Sequence, residues 1–522
     1  MKRASAKPGI RLSLCLPAFL FGLILINLLV VALWMNREEQ NGSQMHKNPA
    51  LEEFDRSSNA KSRKANTADA LDAVPDRAEH VESDSRMESK SSMEETDFEN
   101  NQDDNPNKAD APIATVAHVV SLIKCSKSVT GFLDAAAVFR HSIHLQSFAM
   151  GKSKYAYQMY AIVHEQCRDH GAILERLGYS VLIKASPVLV SEIQGKWYRE
   201  HVERENCCGS TEFIKLYAYE LTSHEIVVHW DMDVAVLAPM DDLFDAMIFS
   251  KDSPEGEAAR GRLELQHPQV PLPDQIDAFF TRDVTSAQPW EKHQGVQGGF
   301  LVARPSLKVL KTYTDFIRLG NYTGGRGDGS GWNAMGYGGF QGAMAYQGAV
   351  AFFYDHFRPN TAVELAVCRW NQVVADVLWR GPQRMEHHMQ CREYPKDGNH
   401  TANINCEDCR ITPIDLVKTV HYTACKKPWE CVLPHPRVPK DRSQVYRLSH
   451  LTNITTCGHL FRKWFELRND LEQQLQNFDV EPAKHDGSFN REYFMGYCSG
   501  TGGYIPMNPP PERFDMKQVY RN

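Results

Sequence analysis

Ile226-Val-Val-His-Trp-Asp231-Met-Asp233-Val-Ala-Val-Leu-Ala-Pro-Met-Asp-Asp-Leu-Phe244 is an apolar run that ends in an Asp-x-Asp and resumes as a second short apolar run. The first run, Glu225 to His229, reads as a buried strand. Two carboxylates one residue apart at the end of such a strand form a ready site for a divalent cation, and such an ion in turn holds a nucleotide diphosphate. Asp-x-Asp is a weak motif alone, but it occurs once in this chain.

The pattern on either side supports the strand. Val116 to Cys125 reads as a strand, Phe132 to Gln146 as a helix with apolar residues at helical spacing, and Tyr157 to Val163 as a second strand. Ile173 to Leu177 ends a helix at Gly178, and a third strand follows to Ile183. Phe213 to Leu221 is predicted to be helical, and Gly298 to Ser306 a short strand leaving a glycine turn. Strands alternating with helices imply an α/β fold with a mainly parallel, doubly wound sheet. In such sheets ligands gather at the carboxyl ends of the strands, where Asp231 and Asp233 fall.

A second chemical segment lies far downstream: Val420-His421-Tyr-Thr-Ala-Cys-Lys-Lys427-Pro428-Trp429. The imidazole of His421 suits a nitrogen ligand to the cation of the Asp pair, and Lys427 suits a phosphate oxygen. Two carboxylates, one imidazole and diphosphate oxygens favour Mn²⁺, with Mg²⁺ the alternative. Taken singly, His421 reads sooner as a partly buried histidine bonded to backbone and Lys427 as a solvated charge; only their combination with the Asp pair favours the site.

Leu12 to Met35 is almost uninterruptedly apolar. At about 1.5 Å per residue its length is roughly 36 Å, enough to cross a hydrocarbon core of about 30 Å with some tilt. Lys2, Arg3, Lys7 and Arg11 precede it, so residues 1–11 are expected as a cytoplasmic tail, 12–35 as an uncleaved signal anchor, and the rest as lumenal. Residues 36–112 are acidic and polar with hardly any aromatics, the composition of a disordered stem. Of 13 cysteines, Cys15 lies in the anchor, which leaves an even number for disulfides in an oxidising compartment. Adjacent Cys207 and Cys208 are expected to bond elsewhere. Asn41, Asn321, Asn399 and Asn453 open glycosylation sequons. Residues 368–431 hold six cysteines, including Cys406-x-x-Cys409, read as a disulfide-tied insertion with a zinc module as the rival. Leu460 to Phe478 reads as an amphipathic helix before an irregular tail pinned at Cys498. A net charge of −7 without a basic patch or nucleic-acid module excludes a nucleic-acid partner.

With these motifs in place the chain resembles the family 8 glycosyltransferases, the glycogenin-like hexosyltransferases. That family joins an Asp-x-Asp strand end to an Asp-Asp/Glu-Leu-Phe run, as in Asp231 to Phe244, and carries a His-x5-Lys-Pro-Trp motif, as in His421 to Trp429. Glu212-Phe-Ile-Lys215-Leu resembles the helix whose lysine lies near the donor, and Gly298-Gly299-Phe300 to Ser306 resembles its glycine-led strand. The resemblance covers roughly Ala114 to Trp429. It implies a GT-A-like fold: one Rossmann-type doubly wound sheet flanked by helices, with the cysteine-rich segment as a C-terminal insertion. The expected catalytic domain is 113–465, followed by a tail at 466–522.

The resemblance further implies Asp231, Asp233 and His421 as metal ligands. Lys215, Asp231, Met232, Asp233, Gln297, Gly298 and Lys427 are the expected nucleotide-sugar contacts, and Lys427 and Gln341 the expected catalytic groups. The expected partners are a nucleotide-sugar, UDP-linked, and a glycan or glycoprotein acceptor, with the anchor in a Golgi membrane. Two departures stand out: Gly338-Gly339-Phe340-Gln341-Gly342 has phenylalanine where the family has an acid beside the reacting sugar, and Gln297 replaces the usual asparagine. The missing acid motivates the rival expectation of a binding or scaffold protein on a degenerate transferase fold.

Overall fold

The computed structural model describes residues 111–520 apart from 126–129, 206–208, 267–271, 284–291, 374–389, 392–405, 408, 410–411, 424, 433–455, 477–490, 509, 511–512 and 514. The cytoplasmic tail, the anchor, nearly all of the stem, Cys207, Cys208 and the sequons at Asn41, Asn399 and Asn453 lie outside the described residues. Among the described residues no helix is long and apolar enough to cross a membrane.

Seven strands form the main sheet: β1 (Thr115–Leu122), β2 (Ala156–His164), β3 (Ser180–Lys184), β4 (Val227–Trp230), β6 (Ala278–Arg282), β7 (Val296–Ala303) and β10 (Ala362–Glu364). Their order is β10-β6-β7-β4-β1-β2-β3. β1 pairs in parallel with β2 and β4, as do β2 with β3 and β10 with β6. β7 alone is antiparallel, to both β4 and β6. The expected α/β architecture is therefore present, with the glycine-led strand reversed. The strands are apolar on both faces because both faces are covered. Val116, Val120, Val228 and Trp230 join one core with the helices Thr130–Leu145, Asp241–Ile248 and Thr456–Gln476, while Ala117, Val119 and Val227 join the other with Leu307–Leu319 and Tyr346–Phe352.

The expected helix at Phe213 to Leu221 forms instead as a 3₁₀ helix, Gly209–Glu220. This tighter winding stacks side chains three residues apart, so Glu212 and Lys215 lie one above the other. β8 (Tyr322–Thr323) and β9 (Gly331–Trp332) make a small hairpin in the glycine-crowded segment, and β11 (Gln390–Cys391) pairs with β12 (Cys406–Glu407). β5 (Val234–Val236) follows the Asp pair and joins β13 (Thr419–His421) in a separate antiparallel ribbon.

Four disulfides are described: Cys125–Cys167, Cys368–Cys409, Cys425–Cys457 and Cys431–Cys498. Cys409 is thus bonded to Cys368, which removes it from the zinc module considered for Cys406-x-x-Cys409. The cysteine-rich segment contributes β13 to the region beside the Asp pair, and the helix Thr456–Gln476 runs straight across residue 465, where a domain boundary was expected.

Candidate metal centre

β4 ends at Trp230, so Asp231 emerges at the carboxyl edge of the sheet. Because β7 runs antiparallel with Trp230 opposite Phe300, the start of β7 meets that edge, and the Asp231 amide donates to the Gly299 carbonyl at 3.1 Å. Two residues on, β5 pairs with β13 so that Val234 faces His421, and the Tyr422 amide donates to the Asp233 carbonyl at 2.8 Å. The His421 amide is held in turn by the Gln372 carbonyl at 3.0 Å.

This pairing brings His421 Nε2 to 3.3 Å from Asp233 Oδ1 and 3.8 Å from Asp231 Oδ2. One ligand atom from each of Asp231, Asp233 and His421 lies within 4.8 Å of the others. Asp233 and His421 are buried, and Asp231 is half-buried with its side chain 33% exposed, which leaves an open approach on one side. Two observations fit a divalent cation. The His421 nitrogen that faces the two carboxylates, Nε2, converges with them on one point, the donor set of a cation site. A Cβ on Gly299 would lie 2.4 Å from His421 Cε1 and 2.9 Å from Asp231 Oδ2, so the space between these groups exists because residue 299 has no side chain. A mixed carboxylate and imidazole set suits a divalent cation.

Two lysines neutralise the two acids. Lys427 forms an ion pair with Asp233 Oδ2. Burial pushes the Asp233 carboxyl up, but the Lys427 ammonium and the His421 ring outweigh it and hold the group below the usual carboxylate range. Burial likewise pushes Lys427 down, and Asp233 outweighs it and raises the ammonium. Lys215 is buried, with Nζ donating to Asp231 Oδ1 at 2.9 Å, the Gly298 carbonyl at 3.1 Å and Glu212 Oε1 at 3.2 Å. Despite the cost of burial, Asp231 and Glu212 raise its affinity for the proton. All three ammonium donors are spent, so Lys215 ties the first aspartate to the start of β7.

The remaining expected residues divide by role. The Met232 side chain packs into the core at 8% exposure, leaving its backbone at the site. Gln297 Oε1 accepts from the Gly299 amide at 2.7 Å and from Asn371 Nδ2 at 3.3 Å, and so shapes the Gly298–Gly299 corner. Gln341 is exposed in the neighbouring loop. Gln347 links it to the corner: its Nε2 donates to the Gln341 carbonyl at 3.3 Å and to Asp283 Oδ2 at 3.1 Å, while a Cβ on Gly298 would lie 3.0 Å from Gln347 Cγ. Phe340, at the place of the family acid, turns its ring inward, where a Cβ on Gly295 would lie 2.7 Å from it. Sequence reasoning did not single out Gly299 as a spacer, nor Asn371, Gln347 and Asp283. Only the double glycine carried a readable signal; the others are ordinary polar residues that the fold brings together.

No protein-family model and no curated protein matches the chain. Among solved structures, the apo form of mouse xyloside xylosyltransferase 1 matches at 13% identity and a TM-score of 0.32, covering 59% of this chain and 97% of that one. The galactosyltransferase LgtC, in complex with donor and acceptor sugar analogs, matches at 12% identity and 0.32, covering 60% and 89%. The glycosyltransferase GlyE of Streptococcus pneumoniae matches at 10% identity and 0.31, covering 72% and 67%. At these identities and scores the likenesses decide neither fold nor activity, and the geometry of Asp231, Asp233 and His421 carries the functional reading.

Proposed function

We propose that the protein is a metal-dependent glycosyltransferase, moving a hexose or related sugar from a UDP-sugar to a glycan or glycoprotein acceptor with retention of anomeric configuration. The observation that carries this reading is the meeting of Asp231, Asp233 and His421, from segments almost two hundred residues apart, around a gap kept open by Gly299. Asp231, Asp233 and His421 would hold Mn²⁺ or Mg²⁺. When bound, the cation supplies Lewis-acid stabilisation of the negative charge that develops on a departing diphosphate.

The chain's own groups do the rest. Lys215 fixes Asp231 against the start of β7, so the ligand oxygen arrives already oriented. Lys427, paired with Asp233 here, is within reach of the same edge and exchanges its carboxylate partner for a phosphate oxygen of the donor. Gln297 and Gly298 frame the floor beneath the sugar, the backbone at Met232 borders the nucleotide, and Gln341 lies on the loop facing the acceptor. With Phe340 buried, the reading requires no protein nucleophile; attack by the acceptor on the face of the leaving phosphate suffices. In this reading the catalytic domain begins near residue 113 and extends past residue 465 with the helix Thr456–Gln476, and the anchor and stem hold the site in the Golgi lumen.

The test is release of UDP from a panel of UDP-sugars by residues 111–522, with Mn²⁺ and with a chelator. Manganese-dependent release from one sugar is expected and names the donor. Absence of release together with absence of nucleotide binding by calorimetry would overturn the transferase reading in favour of a scaffold protein.

A further inference from the structure

Lys427 sits in a short segment bridged at both ends to the C-terminal region. Cys425, two residues before it, is bonded to Cys457, and Cys431, four residues after it, is bonded to Cys498. All four cysteines are buried. Between the bridges the backbone is unusual: Lys426 and Cys431 both adopt left-handed conformations, with φ of 66° and 53°. Non-glycine residues rarely do so unless their surroundings hold them there. A single tight turn joins these points, with the Glu430 amide donating to the Lys427 carbonyl at 2.9 Å and the Cys431 amide to the Pro428 carbonyl at 3.1 Å. Trp429 pins the turn from a third side. Its ring meets Phe132 edge-on at 5.6 Å and Trp464 at 5.8 Å, and it lies so close to Gly131 that a Cβ there would be 2.2 Å away.

Three of these restraints, the two bridges and the Trp464 ring, come from beyond residue 455. Cys457 and Trp464 belong to the helix Thr456–Gln476, which packs on the helix Thr130–Leu145. Cys498 follows the short helix Arg491–Phe494, and Arg468, fully buried and paired with Glu472 on its own helix, ties the long helix to the Ile505 carbonyl at 2.7 Å. The bridges reach the metal centre through Lys427 Nζ, which is ion-paired with Asp233, while the same long helix also meets the end of β13, where the Tyr422 hydroxyl donates to the Leu460 carbonyl at 2.7 Å.

We propose that Cys425–Cys457 and Cys431–Cys498 are positioning elements of the site: the C-terminal region, acting through these two bridges, holds Lys427 at the Asp pair. The two bridges bear on the Lys427 segment. Asp231, Asp233 and His421 are placed by β4, β5 and β13, whose pairing involves neither bridge. Loss of the bridges therefore separates two functions that otherwise occur together, leaving the three ligand groups in place and releasing the ammonium. The consequence for a diphosphate ligand rests on the function proposed above; the restraint on Lys427 does not.

Amine labelling of the full chain with an acetylating reagent, read by peptide mass spectrometry at Lys427, tests the restraint. Replacing Cys425 and Cys457 together by alanine, or Cys431 and Cys498 together, is expected to raise the labelling rate of Lys427 by about tenfold as the segment opens locally. The same change at Cys125 and Cys167 leaves the rate as in the wild type. Should a substituted pair unfold the chain, dithiothreitol treatment of the folded wild type, with circular dichroism unchanged, replaces it. Lys427 labelling that stays at the wild-type rate after both bridges are opened overturns the proposal. Calorimetry with Mn²⁺ plus UDP or UMP forms a second arm: the bridge variants are expected to lose about tenfold in UDP affinity, or roughly 1.4 kcal/mol, while Mn²⁺ affinity is retained. A wild type that binds neither nucleotide refutes the transferase reading, and the labelling still decides the restraint.

Discussion

Replacing Gly299 by alanine drives a methyl group against the His421 ring and the Asp231 carboxylate, two of the three groups expected to hold the ion. The new carbon would lie 2.4 Å from His421 Cε1 and 2.9 Å from both His421 Nδ1 and Asp231 Oδ2. Carbon atoms pack at about 3.5–4.0 Å, so the imidazole must retreat by roughly 1 Å or the β7 backbone must yield. His421 has little room to comply, since it is 2% exposed and its amide is bonded to Gln372 within the β13 pairing. Asp231 moves more easily, but only by breaking its 2.9 Å bond from Lys215. Metal ligands tolerate displacements of about 0.2 Å, so a 1 Å shift removes one ligand from the set. The expected loss is on the order of 100-fold in Mn²⁺ affinity, about 2.7 kcal/mol. Titration of free Mn²⁺ by electron paramagnetic resonance measures it, and thermal unfolding without metal reports whether the fold persists. Wild-type Mn²⁺ affinity in Gly299→Ala would refute the view that these three residues share one ion.

Asp233→Ala removes a ligand and strands Lys427, so Mn²⁺-dependent nucleotide binding should disappear while circular dichroism stays native; turnover at the wild-type rate would sink the assignment. Lys215→Met leaves the buried Glu212 carboxylate and Asp231 without their shared cation, a change that costs about 3–5 kcal/mol; a melting temperature within a degree of the wild type would contradict the tie seen between them. Asp134 gives a pH signature. It is fully buried, and burial pushes its carboxyl up to about 6, against the opposing charge of Arg468 and hydrogen bonds from Met507 and Tyr504. The folded state then holds a proton that the unfolded state releases near pH 4. This contribution to stability is complete below about pH 4 and is lost as the pH rises through about 6, a change of about 3 kcal/mol. Asp134→Asn should gain on the wild type in denaturant melts between pH 4 and pH 7, and a constant difference across that range would count against it.

Much of the fold is legible in the chain because its determinants are local. The apolar runs of β1, β2, β3 and β4, the glycine stop at Gly178 and the helical spacing of Phe132 to Gln146 all appear within windows of about ten residues. The Asp pair is readable for the same reason: carboxylates at the end of a strand in a doubly wound sheet lie at its ligand edge. Those patterns are silent on direction and partner. That β7 runs backwards between β4 and β6, bringing Gly298 and Gly299 onto Asp231, depends on which neighbour it pairs with across the sheet. Likewise the 3₁₀ winding of Gly209–Glu220, which sets Glu212 on Lys215, reflects packing rather than propensity.

What the sequence by itself determined is therefore the inventory: an alternating α/β chain, an Asp-x-Asp at a strand end, and a histidine and lysine at a fixed spacing much later. The tertiary structure decided how they meet. β13 pairs with β5 and delivers His421 to Asp233, Gly299 keeps the gap open, and two disulfides from the C-terminal region flank Lys427. The physical reason is range. Strand periodicity and turn chemistry act between near neighbours, whereas the choice of strand partner, the pairing of cysteines and the absence of a Cβ at one crowded point depend on segments brought together only when both faces of the sheet are buried.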